Sequence, residues 1–433
     1  MSALPRMHRP QWAWAIYDAA NSAYALCILA GLYPILFVGY WGEGLSEAQA
    51  TSYQTFSVSA AGFILAISAP FLGALAENWG GRKRLLAVAT ISGASATVLY
   101  AVPSEGDWPI VIPIYVLATV SFYSAILFYD SLLPTVAQAD ERHRLSGIGY
   151  ACGYFGSVLL FIALTIGLIG NFEVFGLSSA SAATRLGFVI VGLWWIILAL
   201  PLFLSVKEPA RPKPPMAQAI RASFAGLKAT ALQIWRTPRI FWFLLAYWFY
   251  IDGVHTLITT ATGFGKSMGL DDQSLLLALI VVQVTGVFSA FGMGLAGARF
   301  GPRKVICVML VLYIAVAVIA SRLTTEPCDF LLFQMPPVYL MAMLIGVAQG
   351  GVQVLSRSYY ANLVPPDEAA AFFGFYNMLG RSAAVLGPLI AGAVTLISGD
   401  PRTGIVSVGG LFIIGLGLLL YTYRVDATAT PAD

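Results

Sequence analysis

The sequence predicts an all-α membrane protein in which twelve transmembrane helices form two pseudo-symmetric six-helix halves. Three observations predict it. Of 433 residues, 58% are hydrophobic and only 10% are charged, whereas soluble domains carry about 25% charged residues. The hydrophobic residues are gathered into twelve runs, each near the roughly 20 residues that span about 30 Å of hydrocarbon as a helix. The basic residues are confined almost entirely to alternate connections between those runs.

The runs fall at 12–40, 52–76, 84–102, 110–136, 146–169, 185–205, 240–262, 273–298, 304–322, 335–361, 368–397 and 404–423. The first follows ten mostly polar residues and is too long for a signal-peptide core, so it is expected to enter the membrane as a helix rather than be cleaved. Residues 206–239 interrupt the pattern with Lys207-Glu208-Pro209 and Pro212-Lys213-Pro214-Pro215, followed by a basic, helix-compatible segment from Met216 to Trp235. This is the composition of a linker whose amphipathic helix lies on the bilayer surface. The domains are therefore expected to be an N-terminal half at 1–205, the linker at 206–239 and a C-terminal half at 240–433.

Placing both termini on one side puts 18 Lys and Arg residues there and four, Arg185, Lys266, Arg322 and Arg402, on the other, with Arg357 and Arg381 inside runs. The positive-inside rule then makes both termini cytoplasmic, with a bacterial inner membrane as the expected location. Short basic loops beside membrane spans argue against a nucleic-acid surface. Cys27, Cys152, Cys307 and Cys328 show no paired spacing. With no His or Cys cluster at ligand spacing, neither a metal site nor a cofactor is expected, and no catalytic constellation recurs at helical spacing, so an enzyme is not expected.

The halves are related to each other. The loop Gly73-Ala-Leu-Ala-Glu77-Asn-Trp-Gly80-Gly-Arg82-Lys83 after the second run matches Gly294-Leu-Ala-Gly-Ala298-Arg299-Phe-Gly301-Pro-Arg303-Lys304 after the eighth. Adding 227 to the residue number superposes Ser131, Asp140, Glu141, Gly147 and Gly153 on Ser358, Asp367, Glu368, Gly374 and Gly380. Asp18-x-x-Asn21 in the first run likewise has a counterpart in Asp252-Gly-Val-His255 in the seventh. Repeats of this kind place a binding site near the midplane where they meet.

Ionisable groups inside lipid cost on the order of 2.5–3.5 kcal/mol on insertion scales and mark functional sites by default. At 1.5 Å per residue, Asp252 and Arg381 lie roughly 18 Å into their runs and Asp18 about 9 Å from the basic end of the first. A planar guanidinium suits bidentate carboxylate recognition, so Arg381 is expected to bind a substrate anion. Asp18 and Asp252 would take an amine, a proton or both, and His255 is a further candidate proton carrier. The alternative is a permanent ion pair between Arg381 and either carboxylate. Tyr17, Asn21 and Tyr24 on the first run, Tyr150, Tyr154 and Ser157 on the fifth, Gln349, Gln353, Ser356 and Tyr360 on the tenth, and Asn377 one turn before Arg381 form polar stripes. Such stripes line a solvated route or join helices by hydrogen bonds.

The two six-run halves, the basic central connection and the Gly-x-x-x-acid-x-x-Gly-x-Arg-Lys loop resemble the major facilitator superfamily. Within it, Tyr17-Asp18-x-Ala20-Asn21-Ser22, Asp252-Gly253, Gln349-Gly350-Gly351-x-Gln353-x-x-Ser356-Arg357-Ser358 and Phe373-Gly374-Phe375-Tyr376 resemble the vacuole-effluxer family of autophagy-related amino acid exporters and their bacterial relatives. The resemblance implies alternating access by two rocking halves, and a latch near the cytosolic ends of the spans to which Glu77, Arg82, Asp130 and Arg357 are assigned. The expected function is secondary transport of a small zwitterionic or anionic metabolite, probed first as an amino acid, with a proton as the preferred coupling ion and a monomer as the working unit. The competing readings are a permease for peptides, sugars or larger amphipathic solutes, and a non-transporting membrane receptor with the same fold.

Overall fold

The computed structural model describes residues 7–79, 81–208, 214–270, 272–322, 328–330, 333–383 and 386–429. Gly80 of the loop motif and residues 209–213 of the linker, with Arg211 and Lys213, lie outside the described residues.

All twelve expected runs are helical. Span 1 is an α-helix over Arg9–Ala23 that widens into π-helical turns at Tyr24–Leu32 and Phe37–Trp41. Spans 2 to 6 are Glu47–Asn78, Arg82–Leu99, Trp108–Ser131, Arg142–Ile162 with a π-helical continuation at Ala163–Ile169, and Ala180–Ser205. The linker helix, Met216–Arg236, leads into spans 7 to 10 at Pro238–Ser267, Asp272–Phe300, Pro302–Ala320 and Pro337–Leu363. Span 11 is described as Ala369–Ser382 and Leu386–Ser398, on either side of residues 384 and 385, which lie outside the described residues, and span 12 is Pro401–Ala429. A short antiparallel hairpin, β1 Cys328–Phe330 and β2 Phe333–Met335, stands between spans 9 and 10.

Eleven helices among the described residues are long and apolar enough to cross a bilayer. The twelfth, span 3, is only 18 residues long and opens with Arg82, Lys83 and Arg84, so three cations fall within its own length. Large apolar side chains project outward along the spans: Phe63 is 68% exposed, Val88 57% and Phe288 74%. In water such surfaces would associate; in hydrocarbon they are the solvated face.

The described chain forms two compact units. One comprises Met1–Gln138, Cys152–Leu227 and Pro366–Phe375, the other Ala139–Ala151, Lys228–Pro365 and Tyr376–Asp433. Each unit thus holds a short segment from the opposite sequence half, the start of span 11 in the first and the start of span 5 in the second. Glycine explains both placements. A Cβ on Gly374 would lie 2.7 Å from the Ala69 carbonyl oxygen and 2.9 Å from Pro70 Cα on span 2. One on Gly147 would lie 2.6 Å from the Ala290 carbonyl oxygen and 2.9 Å from Gly294 Cα on span 8. These two glycines are the pair that the 227-residue offset superposes, and both permit backbone-to-backbone contact that any side chain would prevent.

Candidate functional site

In the first unit the carboxylate of Asp18 is 5% exposed and its oxygens accept from hydroxyls. Ser22 Oγ, one turn along the same helix, donates to Oδ1 at 3.2 Å, and Tyr129 OH of span 4 donates to Oδ2 at 3.1 Å. Tyr129 is fixed by stacking on Trp14, with ring centroids 4.4 Å apart, while Trp14 Nε1 donates to the Tyr129 carbonyl at 3.1 Å. Span 5 comes close because residue 153 is glycine: a Cβ there would stand 3.0 Å from Asp18 Oδ1. Asn21 is buried, and its Oδ1 accepts no hydrogen bond among the described residues.

Tyr17 and Tyr24 depart from the expectation that they line a solvated route. Both are fully buried; Tyr17 OH pairs with Thr90 Oγ1 at 2.7 Å and Tyr24 OH with Thr119 Oγ1 at 3.0 Å. The π-helical widening begins at Tyr24 and turns that ring onto Phe122 and Trp195. Both phenols therefore face spans 3, 4 and 6 of their own half.

In the second unit Asp252 of span 7 is also buried, 1% exposed, with a different set of partners. Its Oδ2 accepts from the backbone N–H of Gly387 of span 11 at 2.9 Å, a charge-assisted bond to a group that can only donate. Glycine is again required, because a Cβ at 387 would collide with Thr256 Oγ1. Oδ1 of Asp252 is buried and accepts no hydrogen bond among the described residues. Arg381 stands in the last turn of the described segment Ala369–Ser382 of span 11, and His255 is half-buried one turn after Asp252 on span 7. Asn377, one turn earlier, is buried, and Gln349 and Gln353 are half-buried along span 10. Ser356 is engaged by Tyr250 OH at 2.7 Å, and Tyr360 stacks on Tyr376 at 5.0 Å. Among the four expected gate residues, Glu77 and Arg82 come together in the first unit, whereas Arg357 belongs to the second.

Arg82 is 2% exposed and holds several elements at once. Its Nε and Nη2 donate to Glu77 Oε1 at 3.3 and 3.0 Å, Nη1 to the Ser131 carbonyl at 3.0 Å, and Nη2 to the Pro366 carbonyl at 2.5 Å. The same Glu77 oxygen accepts from Ala370 N at 2.8 Å, so it also caps the start of span 11. Asp130, 4% exposed, immediately precedes Ser131. Glu208 adds a cap that sequence reading did not single out, accepting from Arg82 N at 3.1 Å and Lys83 N at 2.8 Å at the start of span 3.

The second unit answers with Arg357, 2% exposed, whose Nε and Nη2 each donate to Ser146 at 3.0 Å, to Oγ and to the carbonyl. Its guanidinium lies 4.0 Å from the centre of the Tyr150 ring. Around it Arg142 donates to the Ala361 carbonyl and to Asn362 Oδ1, both at 2.9 Å. His143 pairs through Nδ1 with Ser358 Oγ at 2.8 Å and through Nε2 with Asn362 Nδ2 at 3.3 Å. An amide N–H can only donate, so Nε2 accepts and Nδ1 carries the proton toward Ser358. Arg142, His143, Ser146 and Asn362 were not foreseen. The signal available was polar residues crowded at the basic end of span 5, opposite an arginine at the same end of span 10.

The model of the family described as "Vacuole effluxer Atg22 like" matches residues 38–430. The chain is 34% identical over 428 residues to the MFS-type transporter YxiO of Bacillus subtilis (strain 168), covering 98% of this chain and 97% of the relative. It is 26% identical over 296 residues to Autophagy-related protein 22-1 of Aspergillus fumigatus, covering 64% of this chain and 47% of that protein, so it spans about half the length of the fungal relatives it matches. Among solved structures, the human organic anion transporter MFSD10 superposes with a TM-score of 0.71 at 14% identity, over 96% of this chain and 100% of that one. The proton:xylose symporter XylE superposes with a TM-score of 0.68 at 14% identity, over 96% and 95%. Both have the major facilitator fold, which accounts for the twelve helices and the internal repeat. The chain belongs to the Atg22-like vacuole effluxer family, and is a multi-pass membrane transporter of the major facilitator type rather than an enzyme.

Proposed function

We propose that the protein is a proton-coupled transporter of a small zwitterionic or anionic metabolite of amino-acid type, working as a monomer in a bacterial inner membrane with both termini in the cytoplasm. The observation that carries this reading is the pair of buried carboxylates on the first span of each half, Asp18 and Asp252, each 5% exposed or less. An ionisable group buried within a membrane span marks a functional site by default, and a carboxylate there is suited to exchanging a proton or meeting a cationic ligand during the cycle. Arg381, with Asn377 one turn before it, supplies the anion-recognising group, and Asn21, His255, Gln349 and Gln353 supply polar contacts.

On this reading Tyr17 and Tyr24 support span 1 from behind, and Tyr129 and Ser22 set the direction of the Asp18 carboxylate. Glu77, Arg82, Asp130 and Arg357 hold the basic ends of the spans shut, and the cycle breaks and remakes their bonds.

Reconstituted proteoliposomes test the reading by exchange of labelled amino acids under an imposed pH gradient. Flux that rises with the gradient, is abolished by Arg381→Ala and is uncoupled from the gradient by Asp18→Asn or Asp252→Asn is the expected result. A flux indifferent to the gradient removes proton coupling, and one indifferent to all three substitutions removes the site.

A further inference from the structure

The linker helix Met216–Arg236 has one face against the protein and another that the described residues leave open. Ala219, Ser223, Thr230 and Ile234 recur along one stripe and are 8% exposed or less. Roughly a third of a turn around the helix, at about 100° per residue, Phe224 is 62% exposed and Trp235 69% exposed. The ring of Phe224 meets that of Phe71 of span 2 at 4.9 Å between centroids. Beyond the two aromatic rings, on the same open side, come Arg221, Lys228 and Arg236, all exposed.

The charge on this stretch is one-sided. From Pro209 to Ile251 the chain has no Asp or Glu, so the linker helix itself carries no carboxylate, and Glu208 before it is taken up by the backbone N–H groups of Arg82 and Lys83. The helix begins ten residues after span 6 ends and is separated from span 7 by Thr237 alone. It is therefore tethered at the depth where spans leave the hydrocarbon, where exposed aromatic rings beside a basic flank match the glycerol and phosphate layers of a bilayer.

We propose that the open face of this helix is a binding site for anionic phospholipid, with Phe224 and Trp235 entering the acyl boundary and Arg221, Lys228 and Arg236 bridging headgroup phosphates. A zwitterionic headgroup also carries a phosphate, but its own cation opposes the basic flank, so selection for net negative charge follows from the absence of any acidic residue on the helix. The site does not depend on the identity of the substrate or on the orientation in the membrane.

The test is native mass spectrometry of the intact purified protein with phosphatidylglycerol or phosphatidylcholine, supported by thermal unfolding with each lipid and with inorganic phosphate. Phosphatidylglycerol is expected to bind in preference and to raise the unfolding temperature. Arg221→Gln, Lys228→Gln and Arg236→Gln should each weaken its binding roughly fivefold, as expected for one basic residue at an anionic surface, and the triple variant roughly a hundredfold. The charge-matched control pair Arg9→Gln and Arg322→Gln should leave binding unchanged. Equal binding of the two lipids by the parent protein, retention of the preference in the triple variant, or the same stabilisation by inorganic phosphate alone would each overturn the proposal.

Discussion

Replacing Arg357 with lysine tests whether the cluster at the basic end of spans 5 and 10 holds those two spans together. Lysine keeps the charge but has one nitrogen where arginine presents a fork, so it cannot donate to Ser146 Oγ and to the Ser146 carbonyl as Nε and Nη2 do at 3.0 Å. It also loses the flat stacking that places the guanidinium 4.0 Å from the Tyr150 ring centre. A hydrogen bond from a charged donor contributes about 1.5–3 kcal/mol, and a desolvated cation–π contact about 1 kcal/mol more. Allowing for incomplete loss, the contact between spans 5 and 10 weakens by roughly 2–4 kcal/mol, which is about 30- to 1000-fold in the ratio of parted to joined forms of this cluster. The reporter is Ala361→Cys, at a position 0% exposed on span 10, in a background with Cys27, Cys152, Cys307 and Cys328 replaced by serine. Maleimide alkylation follows the population of the parted form when parting and rejoining are faster than labelling. Arg357→Lys should accelerate alkylation at least tenfold, and Tyr150→Leu by a smaller factor. A rate within about twofold of the parent, in a monodisperse and cooperatively melting variant, would refute the reasoning that this arginine holds the ends together.

The glycine contacts make a related prediction: Gly147→Ala and Gly374→Ala each drive a methyl group against backbone that cannot rotate away. Each should destabilise the described conformation by about 1–3 kcal/mol, read as faster alkylation at position 361, whereas Gly167→Ala, with nothing within 4 Å of its Cβ, should not. Glu208→Ala leaves the first two N–H groups of span 3 without their acceptor and should cost about 1–2 kcal/mol, seen as a lower unfolding temperature that Glu208→Gln partly restores. Glu43, in the connection between spans 1 and 2, has its carboxyl pushed upward by hydrogen bonding to Glu105 and by repulsion from it. A carboxyl raised in the folded state binds more protons there than in the unfolded chain, so its contribution to stability declines as pH climbs from the unfolded value through the raised one. Glu43→Gln should therefore raise the unfolding temperature at pH 7.5 relative to the parent and have little effect at pH 4.

The membrane class, the helices and the internal repeat were legible because each depends on many residues acting additively. Hydropathy over twenty positions survives a few polar intrusions, which is why span 1 was found despite Asp18 and Asn21. The bond between Gly387 and Asp252 was not legible, since it requires knowing that spans 7 and 11 meet. The same limit explains Tyr17 and Tyr24: periodicity gives the angle between side chains around one helix, but which neighbour each angle faces is set by packing. Gly147 and Gly374, by contrast, could be paired by number alone, because the repeat copies the close approach along with the residue. The partners of Arg357 on span 5 were not read, since nothing in the repeat marks Ser146 or His143.

The two carboxylates stand on the first span of each half but are bound by chemically different donors, and this bears on how an exchanged proton would be felt. Asp18 is held by two hydroxyls, Ser22 and Tyr129, and a hydroxyl can rotate to donate or accept. A neutral Asp18 can therefore keep both neighbours by reversing one bond. Asp252 is held by the backbone N–H of Gly387, which can only donate. Neutralising Asp252 removes the charge that strengthens this bond and keeps at best a weakened one. On the proton-coupled reading, the two sites are therefore not interchangeable carriers. A proton on Asp18 is absorbed by local reorientation, whereas a proton on Asp252 loosens the second half of span 11 from span 7. Between two carboxylates on the first span of each half, the one bound by backbone is the better placed to convert a change of charge into movement of a helix.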